Sequence, residues 1–169
     1  LMTYGQYSPL VISGNEILCG TLVYDAMKRL KMRRAKVVQV GELSEEKFYS
    51  LMGKYFAERK YRKQMPYLIN DDNYLWRLYF HDDELIGFYH YTYLKDNLIE
   101  FGGLYLEKDY RNQGLGKRIL YEQTSEFAEY NQKSISNNPI VLHIRRKLGF
   151  SETGKRGSYS ILEKRVGEK

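Results

Sequence analysis

The chain has 169 residues, enough for one domain or for one domain with a small appendage. Hydrophobic residues make up 43% of it, which suffices for a core, and no apolar run approaches the roughly 20 residues that span a membrane. The net charge of +6 favours an anionic partner, either a phosphate-bearing small molecule or a nucleic acid, although a basic solvated surface explains it as well.

The cysteine and histidine content excludes two further classes of protein. A single cysteine, Cys19, rules out an internal disulfide framework and is compatible with the cytoplasm, where we expect the protein. The three histidines and the cysteine are too widely spaced for a metal-ligand pattern, so we expect no metal. No signal-peptide pattern is visible at the N-terminus.

The first forty residues carry a pattern of their own. A proline-initiated strand is followed by a turn signal, Gly14-Asn15, and by a returning strand. Gly20 then precedes a helical pattern, and a valine-rich strand closes the segment. The predicted strands cover residues 9–13, 16–19 and 36–40, and the predicted helix covers residues 21–31.

This order of elements resembles the C-terminal half of a ParB/sulfiredoxin-like nucleotide-binding domain. The polar positions that follow the glycine in that motif are Thr21 and Val23 here, so the resemblance implies a structural or docking role for residues 1–40 rather than nucleotide cleavage. A second interpretation makes residues 36–40 the first strand of the domain that follows. Both interpretations hold if the two units share that strand.

A helix is predicted to begin at Ser44, because serine caps helix N-termini and Glu45 and Glu46 suit the positive end of the helix dipole. A basic run then continues or ends the helix, and Pro66 stops any helix nearby. A solvated face explains the basic run; the alternative is that it attracts an acidic partner. The apolar positions with helical spacing are Phe48, Leu51, Met52, Tyr55 and Phe56, and the basic residues are Arg59, Lys60, Arg62 and Lys63.

Three strand-like runs follow, at residues 74–80, 85–93 and 98–106. Short polar connectors separate them, which predicts an antiparallel meander. Tyr89, Tyr91 and Tyr93 alternate onto one face of the second run. Such a row either lines a groove or packs in a half-buried sheet.

The third run leads into the most informative stretch of the chain, residues 107–117. A polar turn is followed by Arg-Asn-Gln-Gly-Leu-Gly and then by a helical pattern. Glycines let the backbone approach a ligand, and the free N–H groups of a helix N-terminus favour an anion, so the stretch predicts a phosphate site. It matches neither a P-loop, which needs Gly-x-x-x-x-Gly-Lys-Ser/Thr, nor a dinucleotide turn, which lies in a first βαβ unit.

The C-terminal third begins with a weak strand pattern at residues 132–137, in which Ile135 alone is apolar. Asn138 suits a helix N-cap and Pro139 the first helical position. Gly149 ends the helix, Phe150 starts a strand, and residues 157–162 supply its partner. The predicted buried stripe of the helix is Ile140, Val141, Ile144 and Leu148.

Two motifs in this region belong together. Arg111, Gly114 and Gly116 meet the pattern Arg/Gln-x-x-Gly-x-Gly/Ala, and Asn138-Pro139 is followed by Lys-Leu-Gly-Phe at residues 147–150. Together they cover residues 72–165 and resemble the GNAT superfamily of acyl-CoA-dependent N-acyltransferases. The resemblance implies an α/β (α+β) fold at residues 41–169: a central mixed, mostly antiparallel twisted sheet flanked by helices, with the short ParB-like extension before it.

The resemblance also implies a reaction, the transfer of an acetyl group from acetyl-CoA to a primary amine of an acceptor. In this family the pantetheine arm adds to a strand and the pyrophosphate binds the glycine turn, with Arg118 as a further source of positive charge. The implied CoA-binding residues are Leu104, Tyr105, Leu106, Arg111, Asn112, Gln113, Gly114, Leu115, Gly116, Lys117, Asn138 and Arg145.

Two positions carry the implied acid–base chemistry. Glu100 matches a base glutamate of some family members, and the alternative is an ordinary strand glutamate that faces solvent. The family often has a tyrosine acid five residues before Phe150, where this chain has Arg145, which does not give up its proton near neutral pH. Arg145 is then left to stabilise a thiolate or to bind a CoA phosphate, and His143 is a surface or packing residue.

Two other functions are alternatives to an acetyltransferase that acts on a small amine. One is a catalytically weak GNAT-fold binding or scaffold protein that acts with nucleic acid or a protein partner. The other is an acyltransferase whose acceptor is a nucleic acid or an aminoacyl-tRNA. Acetyl-CoA and an amine are the expected partners, a nucleic acid and a homodimer stay open, and a membrane is not expected. The acceptor itself is not identified, since a fold does not fix a substrate.

Overall fold

The computed structural model describes residues 43–167 in full and the backbone of three earlier strands, at residues 11–13, 16–18 and 35–39. The first two, β1 (Val11–Ser13) and β2 (Glu16–Leu18), pair antiparallel as a separate two-stranded sheet. The predicted turn at Gly14-Asn15 and the predicted helix at residues 21–31 lie outside the described residues.

The central sheet has seven strands in the order β3-β4-β5-β6-β7-β9-β8. Among the described strands of this sheet, only β6 and β7 are parallel and every other neighbouring pair is antiparallel, so the predicted mixed, mostly antiparallel sheet is confirmed. The strands are β3 (Ala35–Gln39), β4 (Leu75–His81), β5 (Glu84–Leu94), β6 (Leu98–Leu106), β7 (Asn131–Ser136), β8 (Ser151–Arg156) and β9 (Tyr159–Lys164).

The strand at residues 35–39 belongs to this sheet. β3 forms one edge and pairs with β4 in a regular antiparallel register. This pairing places residues 35–39 in the central sheet, and the division of the chain into an extension and a main domain stays a prediction.

Four α-helices flank the sheet in the fully described part: α1 (Glu45–Ala57), α2 (Arg59–Gln64), α3 (Leu115–Glu126) and α4 (Pro139–Lys147); a short 3-10 helix (Lys108–Tyr110) precedes the glycine turn. The predicted caps are confirmed. Ser44 Oγ accepts a hydrogen bond from the Lys47 N–H at 3.2 Å, and Asn138 Oδ1 accepts one from the Ile140 N–H at 2.9 Å. Each cap satisfies an N–H group that has no partner within its helix.

The core has two layers, one on each face of the sheet. On the first face α1 packs its apolar stripe, including Met52 and Tyr55, against Trp76, Leu78 and Phe88. On the second face α3 covers the other side of the strands, and its core residues are Leu115 and Ile119 with Tyr89, Tyr91, Ile99, Phe101 and Phe127. These two faces are called the α1 face and the α3 face below.

The tyrosine row of β5 belongs to the core on the α3 face. Tyr89 and Tyr91 are each only 2% exposed, whereas Tyr93, at the end of the strand, is half exposed. Of the two interpretations of this row, sheet packing is therefore right for its first two members.

The predicted buried stripe of α4 is wrong. Ile140 is 64% exposed, Val141, Ile144 and Leu148 are only half-buried, and the one buried side chain of this helix is Arg145. The reason is the position of α4 at the margin of the fold, where it packs on α3 and β9 and only one residue faces inward.

None of the helices in the fully described stretch is long and apolar enough to cross a membrane.

Candidate functional site

The two parallel strands part in the middle of the sheet. Their pairing runs from Leu98 opposite Asn131 to Phe101 opposite Ser134 and then ends. Beyond that point β6 continues to Leu106 beside β5, and β7 continues to Ser136 beside β9. The far edge of β6 from Gly102 onward has no strand neighbour among the described strands, so an extended ligand can add there through main-chain hydrogen bonds.

A bulge in β6 marks the beginning of this gap. The register between β5 and β6 shifts just after Gly102, which still pairs with His90: Gly103 and Leu104 together stand opposite Tyr89, and Gly103 has a φ of +62°. A bulge adds a residue to one strand, bends it and increases its twist. The bend coincides with the point at which β6 turns away from β7.

The strand geometry decides which main-chain groups face the gap. The Glu107 N–H donates to the Ile86 carbonyl at 2.8 Å, so the main chain at Glu107 faces β5. Successive residues of a strand alternate in direction, so Leu104 and Leu106 face away from β5, into the gap, and Tyr105 faces β5. Of the three strand residues predicted to hold pantetheine, Leu104 and Leu106 thus offer main-chain groups.

The glycine turn lies directly after this strand. Asn112 and Gly114 have left-handed φ angles of 60° and 86°, and Gly114 is the N-cap of α3. The first N–H to bond within the helix is that of Arg118, which donates to the Gly114 carbonyl at 3.1 Å. The N–H groups of residues 115–117 are therefore free of helical partners and face the turn. A β-carbon at Gly114 would meet nothing within 4 Å, so the space beside the turn is open.

Arg111 holds the turn in place. Its Nε donates to the Leu106 carbonyl at 2.8 Å, its Nη2 donates to Gln64 Oε1 at 3.1 Å, and its guanidinium lies 5.1 Å from the Tyr105 ring. These contacts tie the turn to the end of β6 and to α2. Lys117 is exposed on the first turn of α3 and is better placed than Arg111 to add positive charge for a ligand.

Glu100 lies just inside the closed end of the gap. It precedes Phe101, the last paired residue of β6, and its side chain is 30% exposed on the α1 face. Glu100 Oε2 accepts from Lys133 Nζ at 2.7 Å. The sequence analysis did not identify Lys133, because its position beside Glu100 depends on the register between two strands that lie far apart in the chain. The role of Glu100 as a base stays a prediction.

Arg145 is placed away from the turn. It is 1% exposed, donates to Thr124 Oγ1 at 3.0 Å and to Gln123 Oε1, and lies between the rings of Phe101 and Phe150. Thr124 follows Leu115 by nine residues, about 13 Å along the helix axis, so Arg145 is not brought together with the predicted phosphate residues. Burial lowers the pKa of its guanidinium to about 9. The side chain of Asn138 likewise has a local partner, as the cap of α4.

A carboxylate at the end of β6 was also missed. Glu107 accepts from the Tyr55 hydroxyl at 2.6 Å and from the Tyr105 hydroxyl at 3.1 Å, and Lys54 Nζ lies 3.7 Å from it. Burial, together with the negative charge of Glu107, raises the pKa of Tyr105 to about 12. The cluster fixes α1 to the strand end from which the glycine turn starts. Within residues 43–167, no three His, Cys, Asp or Glu side chains converge to hold a metal ion.

Comparison with known proteins agrees with this geometry. The model of the acetyltransferase (GNAT) family matches residues 39–150. At the level of sequence, no curated protein matches the chain.

Solved structures share the fold at low sequence identity. ElaA of Escherichia coli superposes with a TM-score of 0.61 at 14% identity, over 78% of this chain and 98% of that one. The ribosomal-protein-S18-alanine N-acetyltransferase of Escherichia coli superposes with a TM-score of 0.57 at 15% identity, over 78% of this chain and 94% of that one. A Bacillus subtilis acetyltransferase in complex with CoA superposes with a TM-score of 0.52 at 14% identity, over 77% of this chain and 97% of that one.

Proposed function

Because the chain belongs to the acetyltransferase (GNAT) family, we propose that it transfers an acetyl group from acetyl-CoA to a primary amine of an acceptor. One observation carries the proposal: the gap between β6 and β7 opens beside the free N–H groups at the start of α3. An extended arm that ends in a pyrophosphate fits such a pair of sites, because a strand edge binds the arm and a helix N-terminus binds the anion.

The geometry supports an assignment of the residues that would hold acetyl-CoA. The main chain of Leu104 and the N–H of Leu106 would bind the arm, and the N–H groups of residues 115–117 would bind the pyrophosphate. Lys117 adds a positive charge next to them. The left-handed φ of Gly114 places these N–H groups, and a side chain at that position would enter the open space beside the turn.

The chemistry at the closed end of the gap needs one base. The acceptor nitrogen must lose a proton to attack the thioester carbon, and we assign the role of taking it to the Glu100 carboxylate. Lys133 pairs with that carboxylate and holds it on the α1 face, so we expect the amine to approach from this face. The Arg145 guanidinium donates its hydrogen bonds to Thr124 and Gln123 inside the core, so the CoA thiolate leaves without a side-chain acid at that position.

Calorimetric titration with acetyl-CoA and with free CoA tests the proposal. We expect micromolar binding of both ligands by the unchanged chain, and loss of binding in Gly114→Glu. Gly157→Glu is the matched control, because Gly157 also has a positive φ and open space around it but lies in the turn between β8 and β9. Circular dichroism would establish that both variants fold. Equal affinity in the two variants would refute the phosphate site.

One observation favours a second function, a catalytically weak GNAT-fold protein that binds nucleic acid or a protein partner. The position of the usual tyrosine acid is occupied by Arg145, whose guanidinium is enclosed in the core. If the chain binds acetyl-CoA but acetylates no amine, peptide or tRNA in a screen, this function replaces the enzyme. A nucleic-acid partner would then show binding that weakens steeply with salt.

A further inference from the structure

His90 occupies an unusual position beside the gap. It lies on β5 directly opposite Gly102 of β6, the first residue beyond the last rung between β6 and β7. Its ring stacks on Tyr74 with the centroids 3.9 Å apart and an angle of 11° between the planes, and the edge of Trp76 packs at 4.9 Å. The imidazole is thus held in one orientation by two aromatic rings.

The ring rests on the bulge of β6. A β-carbon built on Gly102 would lie 2.5 Å from His90 Cε1 and 2.7 Å from Nε2. A β-carbon on Gly103 would lie 2.6 Å from Cδ2 and 3.0 Å from Nε2. Nε2 is therefore close to both glycines, and the absence of their side chains is what lets the imidazole approach the backbone at the closed end of the gap.

The protonation state of His90 follows from its surroundings. Burial lowers its pKa to about 4, an effect that the negative charge of Asp71 only partly offsets, so the ring is neutral near pH 7. A neutral imidazole has one N–H donor and one acceptor nitrogen. Nδ1 is buried without a hydrogen-bond partner. Because a buried N–H without a partner is rarer than an under-satisfied acceptor, we assign the proton to Nε2.

The direction of the gap places the reacting group near this nitrogen. The glycine turn follows Leu106, whereas the gap closes at Phe101 and Ser134. Leu106 and Gly102 lie about 13 Å apart along β6. A pantetheine arm that is bound at the turn and pairs with β6 over this distance would therefore have its acyl end at the bulge. Glu100 is two positions further along and on the same face as His90, because directly paired residues of a sheet share a face.

We propose that His90 is a catalytic residue whose Nε2–H donates a hydrogen bond to the thioester oxygen during acetyl transfer. This inference rests on the proposed function. As the acceptor nitrogen bonds to the thioester carbon, the carbonyl π electrons move onto oxygen, and the Nε2–H stabilises the negative charge that develops there. When the carbonyl re-forms, the carbon–sulfur bond breaks and its electron pair leaves with the CoA thiolate. The proton of the nitrogen passes to Glu100.

Nitrogen-15 NMR of the full chain tests the proposal without an acceptor. We expect the His90 ring to show the neutral Nε2–H form from pH 5.5 to 8. We expect acetyl-CoA to shift its Nε2–H resonance and free CoA, which lacks the acyl oxygen, to leave it in place. A proton on Nδ1, a titration near pH 6.5, or identical spectra with the two ligands would overturn the proposal.

Kinetics of His90→Phe supply the second arm, because phenylalanine keeps the stacked shape and removes the donor. We expect kcat to fall about a hundredfold or more, with the affinity for acetyl-CoA unchanged. His143→Phe, at an exposed position of α4, is the matched control and should leave kcat unchanged. If His90→Phe turns over like the unchanged chain, the inference fails and acetyl transfer stands. If the unchanged chain does not bind acetyl-CoA at all, the proposed function itself fails.

Discussion

The Lys133 ammonium lies 2.7 Å from Glu100 Oε2, and the two residues stand directly opposite each other on the parallel strands β7 and β6. The pair is the last charged contact before the strands part. Glu163 on β9 is the register partner of Lys133 on its other side. Three neighbouring strands thus carry carboxylate, ammonium and carboxylate in one row on the α1 face.

This row yields a prediction for the base. Glu100→Gln should lower kcat about a hundredfold or more, because an amide cannot take the proton of the attacking amine. The affinity for acetyl-CoA should change little, since the main-chain groups of β6 are untouched. Steady-state kinetics across pH and calorimetry measure the two quantities. Glu163→Gln is the control from the same row and should keep near wild-type turnover; if the two variants behave alike, Glu100 is not the base.

The contact between His90 and the glycine bulge predicts a coupled pair of substitutions. Gly102→Ala should destabilise the fold by about 1–3 kcal/mol, because its β-carbon would lie 2.5 Å from the imidazole. In a His90→Ala background, Gly102→Ala should lower the free energy of unfolding by much less. Urea unfolding of the four proteins of this double-mutant cycle gives the coupling energy.

Gly154→Ala is the control for that cycle. Its β-carbon would meet Ile161 Cδ1 at 3.8 Å, an ordinary contact in strand β8, so we expect a smaller effect that does not depend on His90. Additive effects of Gly102→Ala and His90→Ala would show that the imidazole does not rest on the bulge.

The Glu107 cluster predicts a loss of stability on removal of one hydroxyl. Tyr55→Phe deletes the 2.6 Å hydrogen bond to the Glu107 carboxylate and should cost about 1.5–3 kcal/mol, the usual range for a hydrogen bond to a charged group. Tyr121→Phe, at a half-buried position on α3, is the control and should cost less. Denaturant unfolding measures both. Equal stability of the two variants would mean that the cluster does not fix α1 to β6.

A partly buried acid on α3, Glu122, predicts a pH dependence of stability. Burial, with the charge of Glu126, raises the pKa of Glu122 to about 7 from an ordinary value of 4.5. Between pH 4.5 and about 7 the folded state then binds more protons than the unfolded state. The stabilising contribution of Glu122 to the free energy of unfolding is therefore complete below about pH 4.5. It is lost as pH rises through about 7 and amounts to at most about 3 kcal/mol.

The corresponding experiment compares urea unfolding at pH 5 and pH 8. Glu122→Gln should flatten the difference between the two pH values and be the more stable protein at pH 8. Glu129→Gln, at an exposed position just beyond the same helix, should keep the pH dependence of the unchanged chain. An unaltered pH dependence in Glu122→Gln would show that its carboxyl does not titrate in this range.

Much of the architecture could be predicted from local sequence. The alternation of residues 74–106 indicates the meander, Ser44 and Asn138 indicate two helix starts, and the glycine turn indicates the start of α3. These features are predictable because each signal comes from residues that lie close together in the sequence. The amphipathic pattern of α1 likewise identifies its buried face. The buried stripe predicted for α4 fails because a helix at the margin of a fold does not need to bury its apolar side.

The tertiary structure decided the rest. The strand β7 is weak in sequence, and it forms because β6 and β9 pair with both of its edges while Gln132 hydrogen-bonds to carbonyls at the end of α3. Lys133 beside Glu100, His90 on the glycine bulge and Arg145 inside the core are contacts between residues distant in the chain. A chain of this length brings many such pairs within reach, and the strand register and helix packing, which no local pattern encodes, select the few that form.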